Sequence, residues 1–176
     1  MRAIDRGRYA APVRTLIDGA FAAGRPRTLP FDQPVEEARA ALKQIEAAAL
    51  PRGALWLLHD FMDEVHGLVQ DVETGDAAYL HCILHRREPD AHNAAYWFAR
   101  IGAHPIFDEL ARDAAEILAG RPALAGIVAG GRFDARRFID AATAASTTGA
   151  DEQALLALQR REWELLFDHL WTAARE

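Results

Sequence analysis

Histidine and carboxylate side chains recur at helical spacing between residues 58 and 105, a stretch that also holds the only cysteine. Six of them form two triplets: His59, Asp63 and His66, followed by His81, His85 and Glu88. Within each triplet, the second residue lies four positions after the first, and the third lies three positions after the second. At about 100° per residue, each triplet lies within roughly 60° on one face of a helix. Imidazole nitrogens with a carboxylate oxygen suit divalent zinc, nickel or iron.

A short turn near Glu73 and Thr74 separates the two triplets, so two antiparallel helices joined there would turn them toward each other. Residues equally far from the turn lie opposite one another, which predicts three facing pairs: His66 with His81, Asp63 with His85, and His59 with Glu88. We therefore predict one polar cluster between these helices. It contains four metal-ligand candidates: Asp63, His66, His81 and His85.

Three interpretations of this cluster remain open from the residues alone. His81 and His85 border an apolar stripe, which is typical of half-buried histidines in an ordinary hydrogen-bonded network between helices. The same side chains would also line a ligand pocket or bind a metal ion. No HExxH motif, paired ExxH motif or Cys/His cluster accompanies them. The spacing alone therefore does not distinguish these interpretations.

Further polar side chains extend the set of candidates. Asn93, Tyr96 and Arg100 share one helix face, and Gln159 and Glu162 lie on the last helix, from which they would approach the same centre. The ligand-binding candidates are His85, Glu88, Asn93, Tyr96, Arg100, Gln159 and Glu162. Cys82 is interpreted as a small core residue. The run 146–149 is interpreted as a loop, because no G-x-S-x-G motif surrounds Ser146.

Helices must position these side chains, because Ala, Leu, Glu and Arg dominate and no segment alternates as a half-buried strand does. Periodicity and caps predict eight helices: 9–23, 34–50 capped by Asp32, 54–71, 76–88, 91–101, 105–119, one beginning after Asp134, and 152–174 capped by Asp151. The run 51–53 separates the second helix from the third, and 123–131 suits a short helix or an ordered loop.

Short connectors between helices favour antiparallel neighbours. We therefore predict a single all-α domain over residues 1–176, built of stacked antiparallel helical hairpins. Its central hairpins span 54–105, and a C-terminal packing helix spans 151–174.

The fourth and fifth predicted helices resemble one tetratricopeptide (TPR) repeat. The positions that match its small, aromatic, alanine and proline pattern are Cys82, His85, Ala94, Phe98, Ile101 and Pro105. Cysteine replaces glycine, histidine replaces tyrosine, and isoleucine replaces the second alanine. Because the pattern does not recur at a 34-residue period, the resemblance implies a TPR-like centre and not a tandem array.

The run LHRREPDAHNAAYWFARIGAHP, with QRREWELLFDHL near the end, resembles an uncharacterised family of all-helical proteins from bacteria and fungi. Those proteins carry a comparable LHR-E-D-x-x-NA-x-YW-x-x-R-x-G-x-P string. The resemblance implies a helical fold and indicates no particular activity. On it, eight residues fall on motif positions: His85, Glu88, Asn93, Tyr96, Trp97, Arg100, Gln159 and Glu162.

Composition excludes several classes of protein. The formal charge is −6, with 26 acidic and 20 basic residues, which argues against a nucleic-acid partner. One cysteine excludes an internal disulfide. The first residues lack the apolar segment of a secretory signal, and the weakly polar run 122–131 is far shorter than the roughly 20 residues of a membrane helix. We therefore expect a soluble, cytoplasmic protein without a membrane partner.

Two functional hypotheses follow from the sequence, and a third concerns assembly. The first is a binding or assembly module whose His/Asp/Glu cluster is structural and whose partner is a protein or small molecule. The alternative is a hydrolase-like enzyme, metal-dependent or acting on a small ligand, centred on His66, His81 and His85, with Asp63 or Glu88 as ligand or general base. The third is a homodimer through one exposed helical face.

Overall fold

The computed structural model describes residues 1, 3–144 and 148–175. Within them lie nine α-helices: α1 (Ala11–Ala22), α2 (Glu36–Lys43), α3 (Ala49–Leu58), α4 (Met62–Val69), α5 (Gly75–Arg87), α6 (Ala91–Ile101), α7 (Phe107–Ile117), α8 (Ala135–Thr143) and α9 (Gly149–Ala173). Two 3-10 helices span Arg6–Arg8 and Pro122–Ile127. The predicted all-α class is confirmed. Part of the predicted loop at 146–149 lies outside the described residues, since Ser146 and Thr147 are not among them.

The hairpin of α5 and α6 forms as its sequence signals predict. Thr74 caps α5 by accepting a hydrogen bond from the backbone N–H of Ala77, and Asp90 caps α6 through the N–H of Asn93. Gly102 ends α6 at a φ of 72°, a conformation that glycine adopts without strain. The start of α5 packs closely on the end of α6, which makes the two helices antiparallel neighbours.

The close approach occurs at Gly75, where a Cβ atom would lie 2.6 Å from the carbonyl oxygen of Ile101. Only a residue without a side chain fits between these two stretches of backbone. The first residue of α5 and the last residue of α6 are therefore in direct backbone contact.

The predicted helix 54–71 is wrong, because the chain breaks into α3 and α4 at residues 59–61. Asp60 adopts a φ of 64°, a left-handed conformation that aspartate tolerates better than most residues. The break lets the buried Asp60 carboxylate form ion pairs with Arg25 and Arg87. His59 therefore does not share a helix face with Asp63 and His66.

The predicted helix 34–50 is also wrong, because α2 ends at Lys43 and α3 begins at Ala49. Pro51 does not break a helix, because it occupies the first turn of α3, where a missing N–H leaves no hydrogen bond unmade. The expected cap, Asp32, instead accepts a hydrogen bond from the backbone N–H of Gln33. Pro51 and Gly53 therefore lie inside α3, and the run 51–53 is not a connector between helices.

Two further differences lie toward the C-terminal end. A small hairpin pairs β1 (Val128–Ala129) with β2 (Arg132–Phe133), across Gly130 and Gly131, whose φ angles are both positive. That geometry is typical of a two-residue hairpin turn. Asp151 does not cap the last helix, because α9 already begins at Gly149.

Helix α9 is the longest element and runs through the core. Its buried Trp163 donates an indole hydrogen bond of 2.8 Å to the carbonyl oxygen of Ala54 in α3. Five residues further along the same helix, Asp168 accepts a hydrogen bond of 2.7 Å from the buried Tyr9 hydroxyl. Among the described residues, no helix combines the length and the apolar character that crossing a bilayer requires.

Candidate functional site

Three histidine rings meet between α4 and α5. His66 lies in the last turn of α4, and His81 and His85 lie one turn apart on α5. The ring centroids are 5.5 Å apart for His66 and His81, 5.3 Å for His66 and His85, and 6.1 Å for His81 and His85. These three residues, together with Glu88, are called the central histidine cluster below.

Glu88 follows the last residue of α5 and holds the ring of His85. The Glu88 Oε2 atom lies 2.8 Å from His85 Nδ1. This contact assigns the proton to Nδ1, which leaves the lone pair on Nε2 for another partner. A carboxylate has two oxygens, so Glu88 can accept this hydrogen bond through Oε2 and still offer Oε1 to another partner.

The ligand atoms of this cluster converge. One nitrogen or oxygen from each of His66, His85 and Glu88 lies within 4.8 Å of the other two. Ligand atoms of a tetrahedral zinc site are roughly 3.4 Å apart, given metal–ligand bonds of about 2.0–2.1 Å. Shifts on the order of 1 Å would therefore bring these three side chains to bonding distance. The group could hold a metal ion.

Two nitrogen atoms of the cluster are buried without a hydrogen-bond partner in the described part of the chain, namely His66 Nε2 and His81 Nδ1. Burial, together with the neighbouring His66 and His85, lowers the pKa of His81 to about 4. His81 is therefore neutral near pH 7. Neutral imidazole is the form that binds metal ions.

The cluster is backed by an aromatic side chain of α6. The ring of Trp97 stacks on that of His81, with centroids 4.0 Å apart and planes 8° from parallel. Trp97 also lines a cleft of about 420 Å³ between α6 and the turn at residues 70–75, together with Tyr96 and Arg100. A single side chain therefore contacts both the cluster and the cleft.

The other candidates on α6 contact their own helix. The Arg100 guanidinium lies 3.4 Å from the ring centroid of Tyr96 and donates a hydrogen bond to the Tyr96 carbonyl oxygen. Asn93 donates a side-chain hydrogen bond of 2.7 Å to Asp90. Tyr96 is 48% exposed, so the cleft presents an aromatic face to solvent.

Three predicted site residues lie apart from the cluster. Asp63 is exposed on α4 and, within the described residues, forms no hydrogen bond or ion pair. Gln159 and Glu162 are buried on α9, where both contact Arg86. Tyr79 donates a further hydrogen bond of 3.1 Å to Glu162. This second group is a buried ionic network.

His59 and Cys82 take no part in the cluster. His59 is buried beside Arg25 rather than lying opposite Glu88, and burial lowers its pKa to about 4. Cys82 is buried in the core, as expected, and burial raises the pKa of its thiol to about 12. A thiol with so high a pKa is a poor nucleophile near pH 7.

Sequence reasoning missed a second group of ligand-type side chains, Asp76, His104 and His169, called the Asp76 cluster below. The Asp76 Oδ1 atom lies 2.9 Å from His104 Nε2 and 3.1 Å from His169 Nε2. The hydrogen bond from His104 contributes most to lowering the pKa of Asp76. The three residues come from three separate elements, so no local spacing connects them.

No family model matches the sequence, and comparisons with curated proteins and with solved structures found no match. Function is therefore inferred from the geometry of these side chains.

Proposed function

We propose that this protein is a helical binding domain that holds a divalent transition-metal ion between α4 and α5, with His66, His85 and Glu88 as ligands. The observation that carries the proposal is the buried His66 Nε2 atom, which has no hydrogen-bond partner among the described residues. It belongs to a residue whose ligand atom lies within 4.8 Å of those of His85 and Glu88.

A purely structural polar network explains this arrangement less well. A network that stabilises a fold satisfies its buried polar atoms, and each one left unsatisfied costs about 1–3 kcal/mol. The central histidine cluster leaves two buried nitrogens in that state, on His66 and His81. A metal ion supplies the missing partner for His66 Nε2. Imidazole with one carboxylate favours zinc, nickel or iron over magnesium or calcium.

His81 serves this site as a neutral neighbour. Its ring is nearly parallel to that of His85, at an angle of 13°, and it is stacked on Trp97. Because parallel rings do not direct their nitrogens at one point, we assign His81 to the wall of the site and not to the ligand set. Because the His81 ring is uncharged, it does not repel the bound ion as a protonated imidazole would.

Metal titration of untagged protein, freed of metal by a chelator, tests the proposal. Zinc binding measured by calorimetry should weaken on the order of 100-fold in His66→Ala and in His85→Ala. The matched control is His92→Ala, an exposed histidine on α6, which should bind zinc as the parent protein does. If the parent protein binds no zinc, or if both cluster variants retain full affinity at this site, the proposal is wrong.

The cleft beside Trp97 supports a second function, the binding of a small molecule or peptide, which shares with the first hypothesis drawn from the sequence only its role as a binding module. The supporting observation is the half-exposed Tyr96 ring with the Arg100 guanidinium stacked on it. An aromatic ligand with a carboxylate would stack on the first and pair with the second. Such a ligand should raise the melting temperature of the parent protein. It should not change the melting temperature of the Arg100→Ala variant.

A further inference from the structure

We infer that the protein has a second metal-binding site, formed by Asp76, His104 and His169, which takes a divalent first-row transition ion and functions independently of the central histidine cluster. The two sites share no residue. Asp76 is the second residue of α5, whereas His85 and Glu88 lie at its other end, so the sites lie roughly 14–18 Å apart along the helix axis.

The distances in the Asp76 cluster match those of a ligand set. The Asp76 oxygen is 2.9 Å and 3.1 Å from the two Nε2 atoms, and the two imidazole centroids are 5.0 Å apart. With metal–ligand bonds of about 2.0–2.2 Å, neighbouring ligand atoms lie roughly 2.9–3.4 Å apart and imidazole centroids about 5 Å apart. Because both nitrogens are directed at the Asp76 oxygen, that oxygen would have to shift on the order of 1 Å for an ion to bind between the three atoms.

The surrounding elements hold these ligands in place. Asp76 lies in the first turn of α5, His104 in the connection before α7, and His169 on the core helix α9. The His104 side chain is only 3% exposed and packs edge-on against the Tyr79 ring. Ligands fixed by separate rigid elements lose little freedom on binding, which favours affinity.

One side of the cluster is open to solvent. The side chains of Asp76 and His169 are 26% and 25% exposed, so an ion has a path to the site. Two imidazoles and one carboxylate leave coordination positions for water or another small ligand. This is the ligand set of open zinc and non-haem iron sites.

The competing explanation is a hydrogen-bonded triad in which both histidines donate to Asp76. In that state each Nε2 carries a proton, and the backbone N–H of Ile106 contacts His104 Nδ1 at 3.4 Å. Metal binding moves the His104 proton from Nε2 to Nδ1. The contact with Ile106 opposes this shift, but at 3.4 Å it is long for an N–H donor and restrains the ring weakly.

Substitution of His169 by glutamine separates the two explanations. The glutamine amide can still donate a hydrogen bond to Asp76 but replaces the imidazole lone pair with a poor metal ligand. In calorimetry with zinc on chelator-treated protein, we expect two ions per parent chain, one in His85→Ala, one in His169→Gln and none in the double variant. Binding of Co²⁺ followed by its visible absorption gives a second readout of the same sites.

The outcomes distinguish this inference from the proposed function. If His85→Ala retains one ion and the double variant retains none, the Asp76 site stands. If His85→Ala binds no ion, the inference is wrong while the central site stands. If His169→Gln alone removes the single ion that the parent protein binds, the Asp76 site stands and the central site fails.

Folding is checked by circular dichroism, since a variant that unfolds would lose its metal for another reason. Asp76→Asn is the second variant, because the amide can hydrogen-bond to both histidines yet carries no charge to bind the ion. It should weaken zinc binding at this site on the order of 100-fold. A folded Asp76→Asn variant with unchanged zinc affinity would overturn the inference.

Discussion

The two histidine clusters at the ends of α5 differ in how their polar atoms are satisfied without metal. In the central histidine cluster, the carboxylate of Glu88 contacts the His85 ring, and buried nitrogens on His66 and His81 have no partner in the described structure. In the Asp76 cluster, one carboxylate oxygen contacts both imidazoles. The first is held together by packing of adjacent helices, whereas the second is already hydrogen-bonded. Convergent ligand atoms therefore arise in two physically different ways.

The difference extends to what assembles each cluster. His66, His81, His85 and Glu88 lie within 23 consecutive residues of two adjacent helices. Asp76 and His169 are separated by 93 positions. Local secondary structure brings the first group together, whereas the second requires α9 to be packed in place.

The largest effect on stability should come from a residue that belongs to neither cluster, Glu162. It pairs with the fully buried Arg86, and removing one partner of a buried ion pair costs about 3–5 kcal/mol because the other charge stays buried. Glu162→Ala should therefore lower the free energy of unfolding in urea by that amount. Glu116→Ala, at an exposed carboxylate on α7 whose ion pair with the N-terminal ammonium is also exposed, is the control and should change it by less than about 1 kcal/mol. If Glu162→Ala changes the free energy of unfolding only slightly, the ion pair of Arg86 with Glu162 does not contribute substantially to stability.

The two clusters should affect the stability of the protein in different pH ranges. The folded-state pKa of His81 is about 4, below the ordinary value of 6.5, so the unfolded chain binds this proton first as the pH falls. Stability should therefore decline between pH 6.5 and 4, by on the order of 1–2 kcal/mol for His81 once screening by solvent is included. His59 has the same shift and contributes in the same window. His81→Gln should flatten this part of the profile.

The Asp76 cluster should respond at lower pH. The pKa of Asp76 is lowered from its ordinary value of 3.8, so the stability it contributes is present above that pH and is lost as the pH falls below it. Urea unfolding from pH 7.5 to 3 measures both effects. Above pH 5, Asp76→Asn should be less stable than the parent protein by a roughly constant amount, and the two profiles should converge as the pH falls below 3.8. A stability difference that changes with pH above pH 5 would contradict this assignment.

The smallest expected effect is a change in tryptophan fluorescence on zinc binding. Because Trp97 stacks on His81 next to the central site, zinc binding there should change tryptophan fluorescence, and binding at the Asp76 cluster should not change the Trp97 component. Trp97→Phe should bind the same number of zinc ions and lose that component. His169→Gln should keep it. If the signal persists in Trp97→Phe, another tryptophan reports the ion and the stacking argument fails.

Sequence reasoning succeeded where interactions are local. Helix α6 spans the predicted residues 91–101, because Asp90 and Gly102 are cap signals that act within a few residues. The contact of His66 with His81 was also predicted, since a short turn determines which residues of two antiparallel helices face each other. Both results depend on short stretches of chain.

The wrong or missed predictions concern features that depend on contacts between residues distant in sequence. The break at Asp60 forms because a buried carboxylate meets Arg25 and Arg87, both distant in sequence. His104 and His169 join Asp76 only after three elements have packed. No periodicity or cap residue carries that information, so it becomes visible only in the folded chain.

The consecutive arginines at the end of α5 tie the central hairpin to the rest of the chain. Arg86 and Arg87 are both buried, one paired with Glu162 on α9 and the other with Asp60 before α4. Two guanidinium groups cannot leave water until both carboxylates have arrived. The hairpin of α5 and α6 is therefore not a module that can be excised or duplicated. It folds and unfolds together with its distant partners, as one cooperative unit.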